Sequence, residues 1–161
     1  MTNYICINGK KAELTEEQMK ALGIELPKVN PFERVEGEMY FVIDTIGDVA
    51  EEYDDDYEED QRHFNTANYC TDYKLMEQRA LHETLNRLLW RYSMEHDGDK
   101  IDWNNDEYKY YIYYSRYNER WAISSSDEWN SVTYFYTEEI AENAIEEIIE
   151  PFMKAHPDFK F

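Results

Sequence analysis

Glycine is scarce in this chain, with five residues in 161, and none lies in a G-x-G or G-x-x-x-x-G-K pattern. That excludes the backbone cradles by which glycine-rich loops hold phosphates. The two cysteines, Cys6 and Cys70, share no spacing motif, and the four histidines do not join them at zinc-ligand spacing. Two free thiols in a reducing compartment is the expected state, with a disulfide between them the other possibility. No apolar run approaches the ~18 residues needed to cross a bilayer, and MTNYICINGKKAEL lacks a signal-peptide pattern. The expected location is the cytoplasm of the host cell, with no membrane partner. Cations are scarce as well: 16 Lys and Arg face 36 Asp and Glu, leaving a formal charge of −20. Such a field repels nucleic acid and anionic membranes at long range and attracts basic protein surfaces.

What the chain has in quantity is carboxylate and aromatic side chains. Fifteen Tyr, seven Phe and four Trp contribute to an apolar fraction of 42%, enough for a core in one ordinary domain. Tyr4-Ile5-Cys6-Ile7, Asn8-Gly9 and Lys10–Leu14 read as a hairpin closed by a type I′ turn. Thr15 with Gln18 forms a capping box for a short helix that carries Met19 and Leu22 on one face and stops at Gly23. Residues 1–23 thus form a small ββα unit, and 24–37, with Pro27 and Pro31, reads as a linker.

Residues 38–161 carry the main domain. A hairpin is expected from Met39 to about Tyr53, turning at Gly47-Asp48. From Asp48 to Asp60, nine of thirteen side chains are carboxylates, a pattern expected of a solvated loop or a guarded strand edge. Apolar residues from Leu75 to Tyr92 recur at helical spacing, with Thr71 as the natural cap and Gly98 as the end. A third hairpin spans Tyr108 to Ser126 and turns at Arg116–Glu119. A short strand, Val132 to Tyr136, leads into a final helix capped by Thr137, with Ile140, Ala141, Ala144, Ile145, Ile148, Ile149 and Phe152 on its apolar face. The fold class is α+β, antiparallel hairpins packed on two long helices. The parallel order of the two later units, Tyr69-Cys70-Thr71 before one helix and Phe135-Tyr136-Thr137 before the other, leaves a duplicated ββα unit open.

Catalytic and metal signatures are missing where they could stand. His82-Glu83 lacks the second histidine of HExxH, because position 86 is Asn86, so a helix face is expected. Glu95-His96-Asp97-Gly98-Asp99 lacks the ligand order of an EF-hand and reads as a helix-ending turn. Ser124-Ser125-Ser126 lacks the glycines of a nucleophile elbow. No enzyme, cofactor or metal is expected. The tyrosines around Tyr108–Tyr117 suit either a two-sided buried sheet or a protein-binding surface, with the buried sheet preferred.

The stretches ICINGKKAELTEEQMKALGI, NPFERVEGEMYFVIDTIGDV, ANYCTDYKLMEQRALHETLNRLLWRYS, KYYIYYSRYNERWAI and YTEEIAENAIEEIIEPFMKAHPDF together resemble a family of small accessory proteins encoded by bacteriophages and prophages. The resemblance spans nearly the whole chain and carries no site residues. It implies a class of role, counter-defence, which some members of such accessory regions have. The expected function is non-enzymatic inhibition of a host defence factor of anti-CRISPR or anti-restriction type, by an acidic face that mimics nucleic acid. The expected partner is a basic host protein, a nuclease or a defence-complex subunit, with no direct binding of nucleic acid. Asp48, Glu51, Glu52, Asp54, Asp55, Asp56, Glu58, Glu59 and Asp60 form the candidate array, and Tyr53 and Tyr57 add apolar anchorage. The alternative is a sponge for a small immune-signalling nucleotide, with Arg116, Tyr117, Arg120 and Trp121 as its ligand-binding residues.

Overall fold

The computed structural model describes residues 4–7, 10–22 and 30–160. The chain divides into two units, Met1–Pro31 and Phe32–Phe161. In the first, β1 (Tyr4–Ile7) and β2 (Lys10–Glu13) pair antiparallel with Ile5 opposite Ala12. The connecting Asn8-Gly9, the helix stop at Gly23 and residues 24–29 of the 24–37 segment, Pro27 included, lie outside the described residues. Helix α1 (Glu16–Ala21) opens as expected: the Thr15 amide donates to Gln18 Oε1 at 2.9 Å and the Gln18 amide to Thr15 Oγ1 at 3.3 Å. Met19 is buried, whereas Leu22, expected on the same face, is exposed.

The second unit is mixed α+β. Strands β3 (Met39–Ile43) and β4 (Val49–Tyr53) form a hairpin around Asp44, whose carboxylate accepts from the amides of Ile46, Gly47 and Asp48. Gly47 sits at φ +103°, a backbone state that glycine adopts without strain. Both faces of β3 are buried. Tyr40 and Val42 pack with Tyr69 on one side, and Phe41 packs with Cys70 and Met76 on the other. The Cys70 thiol is buried and free, and burial raises its pKa.

The segment after β4 departs from expectation. The acidic run does not stay a loop: it leads into α2 (Glu58–Asn65), whose first turn holds Glu58, Glu59 and Asp60 at the positive end of the helix dipole. Tyr40 lies beneath this helix, stacked on Tyr69 at 4.1 Å between ring centres. The signal was obscured because Phe64 is the one large apolar side chain in these eight residues, too few for a run of apolar positions at helical spacing to stand out. Helix α3 (Tyr73–Glu95) matches the expected span, but its cap is Asp72 rather than Thr71. Asp72 Oδ1 accepts from the Leu75 amide at 3.1 Å, three residues along as a cap requires. At its other end Asp97 adopts the left-handed region and Gly98–Lys100 forms one 3₁₀ turn, the helix-ending turn expected there.

Strands β5 (Lys109–Ser115) and β6 (Arg120–Ser126) pair along their whole length, and β7 (Tyr134–Phe135) pairs with β5 on its other side. The strand expected over Val132–Tyr136 is therefore two residues long. Thr137 caps α4 (Glu138–Ala144), accepting from the Ile140 amide at 3.2 Å. The helix then widens into a π turn over Ile145–Ile149 before α5 (Glu150–Ala155). Pro151 supplies the reason: it has no N–H, its ring crowds the preceding turn, and the Glu150 amide reaches back five residues to Ile145.

The main core lies between α3, this interrupted helix and the β5–β6 face bearing Tyr110, Ile112, Trp121 and Ile123. Leu85, Leu89, Phe135, Ala144, Ile149 and Phe152 fill it, each large side chain contributing roughly 2 kcal/mol by leaving water. The same local topology occurs twice. Cys70 bridges to Phe41 just before α3, as Phe135 pairs with Tyr110 just before α4. In both halves a third short segment lies beside the first strand of a hairpin and runs on into a capped helix. Among the described residues no helix is long and apolar enough to cross a membrane.

Candidate interaction surface

The acidic segment has an interior part and an exterior part. Asp54 has no exposed surface. Arg34 grips it with two parallel bonds, Nε to Oδ2 and Nη2 to Oδ1, each 2.6 Å, and also reaches Asp56 at 3.0 Å. Tyr69 donates to Asp54 Oδ2 at 3.3 Å and accepts from the Val35 amide at 3.1 Å. The Arg34 bonds hold the Asp54 carboxyl below the usual range, against the penalty of burial, and the Asp56 amide helps. The same contacts raise the Arg34 pKa. Arg34 and Val35, in the stretch expected as linker, are thus fastened to the end of β4.

Asp60 is also buried. Its Oδ2 accepts from the Tyr57 amide at 2.9 Å, closing the α2 cap, and its Oδ1 accepts from the Tyr40 hydroxyl at 2.7 Å. The hydroxyl proton is committed to Asp60, so His63 Nδ1, 2.9 Å away, carries a hydrogen and donates to the Tyr40 oxygen. Burial, and then the charge and bond of Asp60, push the Tyr40 pKa up.

Asp54 and Asp60 therefore leave the candidate array, because a carboxylate committed to interior partners cannot meet a docking protein. Asp48, Glu51, Glu52, Asp55, Asp56, Glu58 and Glu59 are all exposed. Glu51 and Glu52 lie on β4, the outer strand of its hairpin, and their side chains point to opposite faces. Asp55 and Asp56 form the corner, where Asp56 takes φ +59°. Glu58 and Glu59 follow on α2. Among the described residues, Arg34 touches Asp56 on this ridge, and Arg62 approaches Glu58 at 3.7 Å. Tyr53 and Tyr57 are 62% and 69% exposed along the same ridge.

The four residues of the nucleotide alternative do not converge. Arg116, Tyr117 and Arg120 are exposed at the β5–β6 tip, Tyr117 at 96%. Trp121 turns inward, edge-on to Tyr114 at 5.4 Å, and lines a cleft of about 320 Å³ that the other three do not border. The tyrosines divide between the two readings weighed for them. Tyr110 packs on the core, while Tyr108, Tyr113, Tyr114 and Tyr117 stay exposed.

Among the described residues, no group of three or more His, Cys, Asp or Glu could hold a metal ion. Lys109, a buried cation, donates to Asn105 Oδ1 at 2.6 Å and to the carbonyls of Asn105 and Glu107, with the Trp103 ring 5.3 Å away. These bonds staple the loop over 105–109. The Arg34–Asp54 clasp and α2 escaped sequence reasoning. The run of carboxylates marked the right segment without separating interior from exterior. No protein-family profile, curated protein or solved structure matches this chain.

Proposed function

We propose that this protein is a non-enzymatic inhibitor that binds a basic host protein and occupies its nucleic-acid-binding groove. The observation that carries the reading is the ridge from Asp48 to Glu59, where seven exposed carboxylates flank Tyr53 and Tyr57. Duplex DNA offers one charge per ~1.7 Å of axis, so a competitor needs carboxylates that are dense and held in place. The interior supports that requirement: the Arg34–Asp54 pair and the Asp60 cap fix the corner between β4 and α2 from beneath. The net charge of −20 adds long-range attraction for a basic groove and repels nucleic acid itself. Together with the resemblance to phage accessory proteins, this favours a counter-defence role in the host cytoplasm, against a CRISPR effector nuclease or a restriction enzyme.

The test is capture of partners from a bacterial lysate by the tagged protein across a salt series. The expected result is one basic nucleic-acid-binding protein, retained at low salt, released as salt rises, and unable to bind DNA while captured. A partner that still binds DNA in the complex would contradict the proposal.

A further inference from the structure

We propose that the edge of β5 beyond β7 is a slot for strand addition by an extended, net-positive peptide segment of a protein partner. Strand β5 pairs with β6 at all seven of its residues, but with β7 only at Tyr110 and Tyr111. Ile112, Tyr113 and Tyr114, about 10 Å of strand, have no backbone partner on the β7 side among the described residues.

The chain leading into β7 does not close this gap. Ser131, Val132 and Thr133 form one wall of the 320 Å³ cleft, α3 contributes His82 and Asn86, and β5 forms another wall. The edge lacks the usual protections. Strand β4 carries Glu51 and Glu52, whereas Ile112-Tyr113-Tyr114 has neither charge nor proline. An open edge beside a cleft is the geometry by which sheets accept an added strand, main-chain bonds giving affinity and alternate side chains giving specificity.

Charge selects the occupant. A second copy would bring another −20, so edge-to-edge pairing of two chains is opposed, while a basic segment is drawn in. Tyr113 and Tyr114 point to opposite faces of the sheet and are 42% and 41% exposed. An incoming strand therefore finds an aromatic ring on each face, suited to the Lys or Arg side chains of a basic segment. The slot is separate from the carboxylate ridge, and the two proposals stand or fall separately.

The probe is a capped peptide of alternating Lys and Val, followed by fluorescence anisotropy and by amide hydrogen exchange of the intact protein. The expected result is saturable binding that slows exchange within Ile112–Tyr114. N-methylation along one edge of the peptide backbone weakens it about tenfold or more. Ser131→Trp, at an exposed position in the cleft wall, weakens it similarly. Neutralising the exposed carboxylates of the 48–59 ridge leaves the slowed exchange in place. Binding indifferent to N-methylation, slowed exchange confined to the ridge, no saturable binding, or a dimer sealed through Ile112–Tyr114 without peptide would each overturn the proposal.

Discussion

At the scale of single residues, the most consequential contact is between Arg34 and Asp54. A carboxylate with no exposed surface is stable only if its charge is met, and two 2.6 Å bonds from one guanidinium meet it. Asp54→Ala removes the two-bond partner of Arg34, leaving it Asp56 and Gln61, and is expected to cost about 2 kcal/mol in urea unfolding at neutral pH. That is below the range for fully buried pairs because Arg34 keeps 18% of its side chain exposed. The pH dependence has a definite sign. The folded-state pKa of Asp54 is depressed, so its contribution is present above the unfolded value of ~3.9 and is lost as pH falls through the folded value. Acid unfolding of the wild type below about pH 4 is therefore steeper than that of Asp54→Ala. Parallel acid limbs for the two proteins would show that Asp54 is not the titrating group.

At the scale of elements, α2 shows how local chemistry substitutes for apolar content. Its stability rests on Asp60, which caps the helix and receives the Tyr40 hydroxyl. Asp60→Ala is expected to cost about 1–2 kcal/mol and to speed amide exchange across α2 while leaving α3 protected. Equal acceleration in both helices would mean that α2 is not a separately anchored element. Elements whose signal is local or strongly periodic were legible in the chain: the Thr15/Gln18 capping box, the β5–β6 hairpin, α3, and the Thr137 cap. Elements set by tertiary partners were not. Asp72 displaced Thr71 as a cap by one position, and β7 shortened because Ser131–Thr133 leave the sheet. The π turn is a response to Pro151, a residue that pattern counting accommodates without comment. In the acidic run sequence could count the carboxylates but could not sort them, since Asp54 and Asp55 differ only in which side of the backbone faces Arg34 and Tyr69.

At the scale of the whole molecule, charge is the governing quantity. A chain carrying −20 repels itself, and added salt screens that repulsion over about 8–10 Å near physiological ionic strength. Thermal stability is therefore expected to rise from low to moderate NaCl; a fall would mean that favourable ion pairs outweigh the repulsion. The same charge underlies the proposed function, in which the ridge over β4, the corner and α2 competes with nucleic acid for a basic groove. The most direct measurement compares wild type with a variant bearing Asp48→Asn, Glu51→Gln, Glu52→Gln, Asp55→Asn, Glu58→Gln and Glu59→Gln. Each is titrated against the captured partner already bound to labelled DNA, after circular dichroism confirms that both proteins are folded. The account predicts that wild type displaces the DNA, that its affinity falls with the logarithm of salt concentration, and that the variant displaces none at the same concentrations. Displacement by the folded variant equal to that of wild type would contradict it.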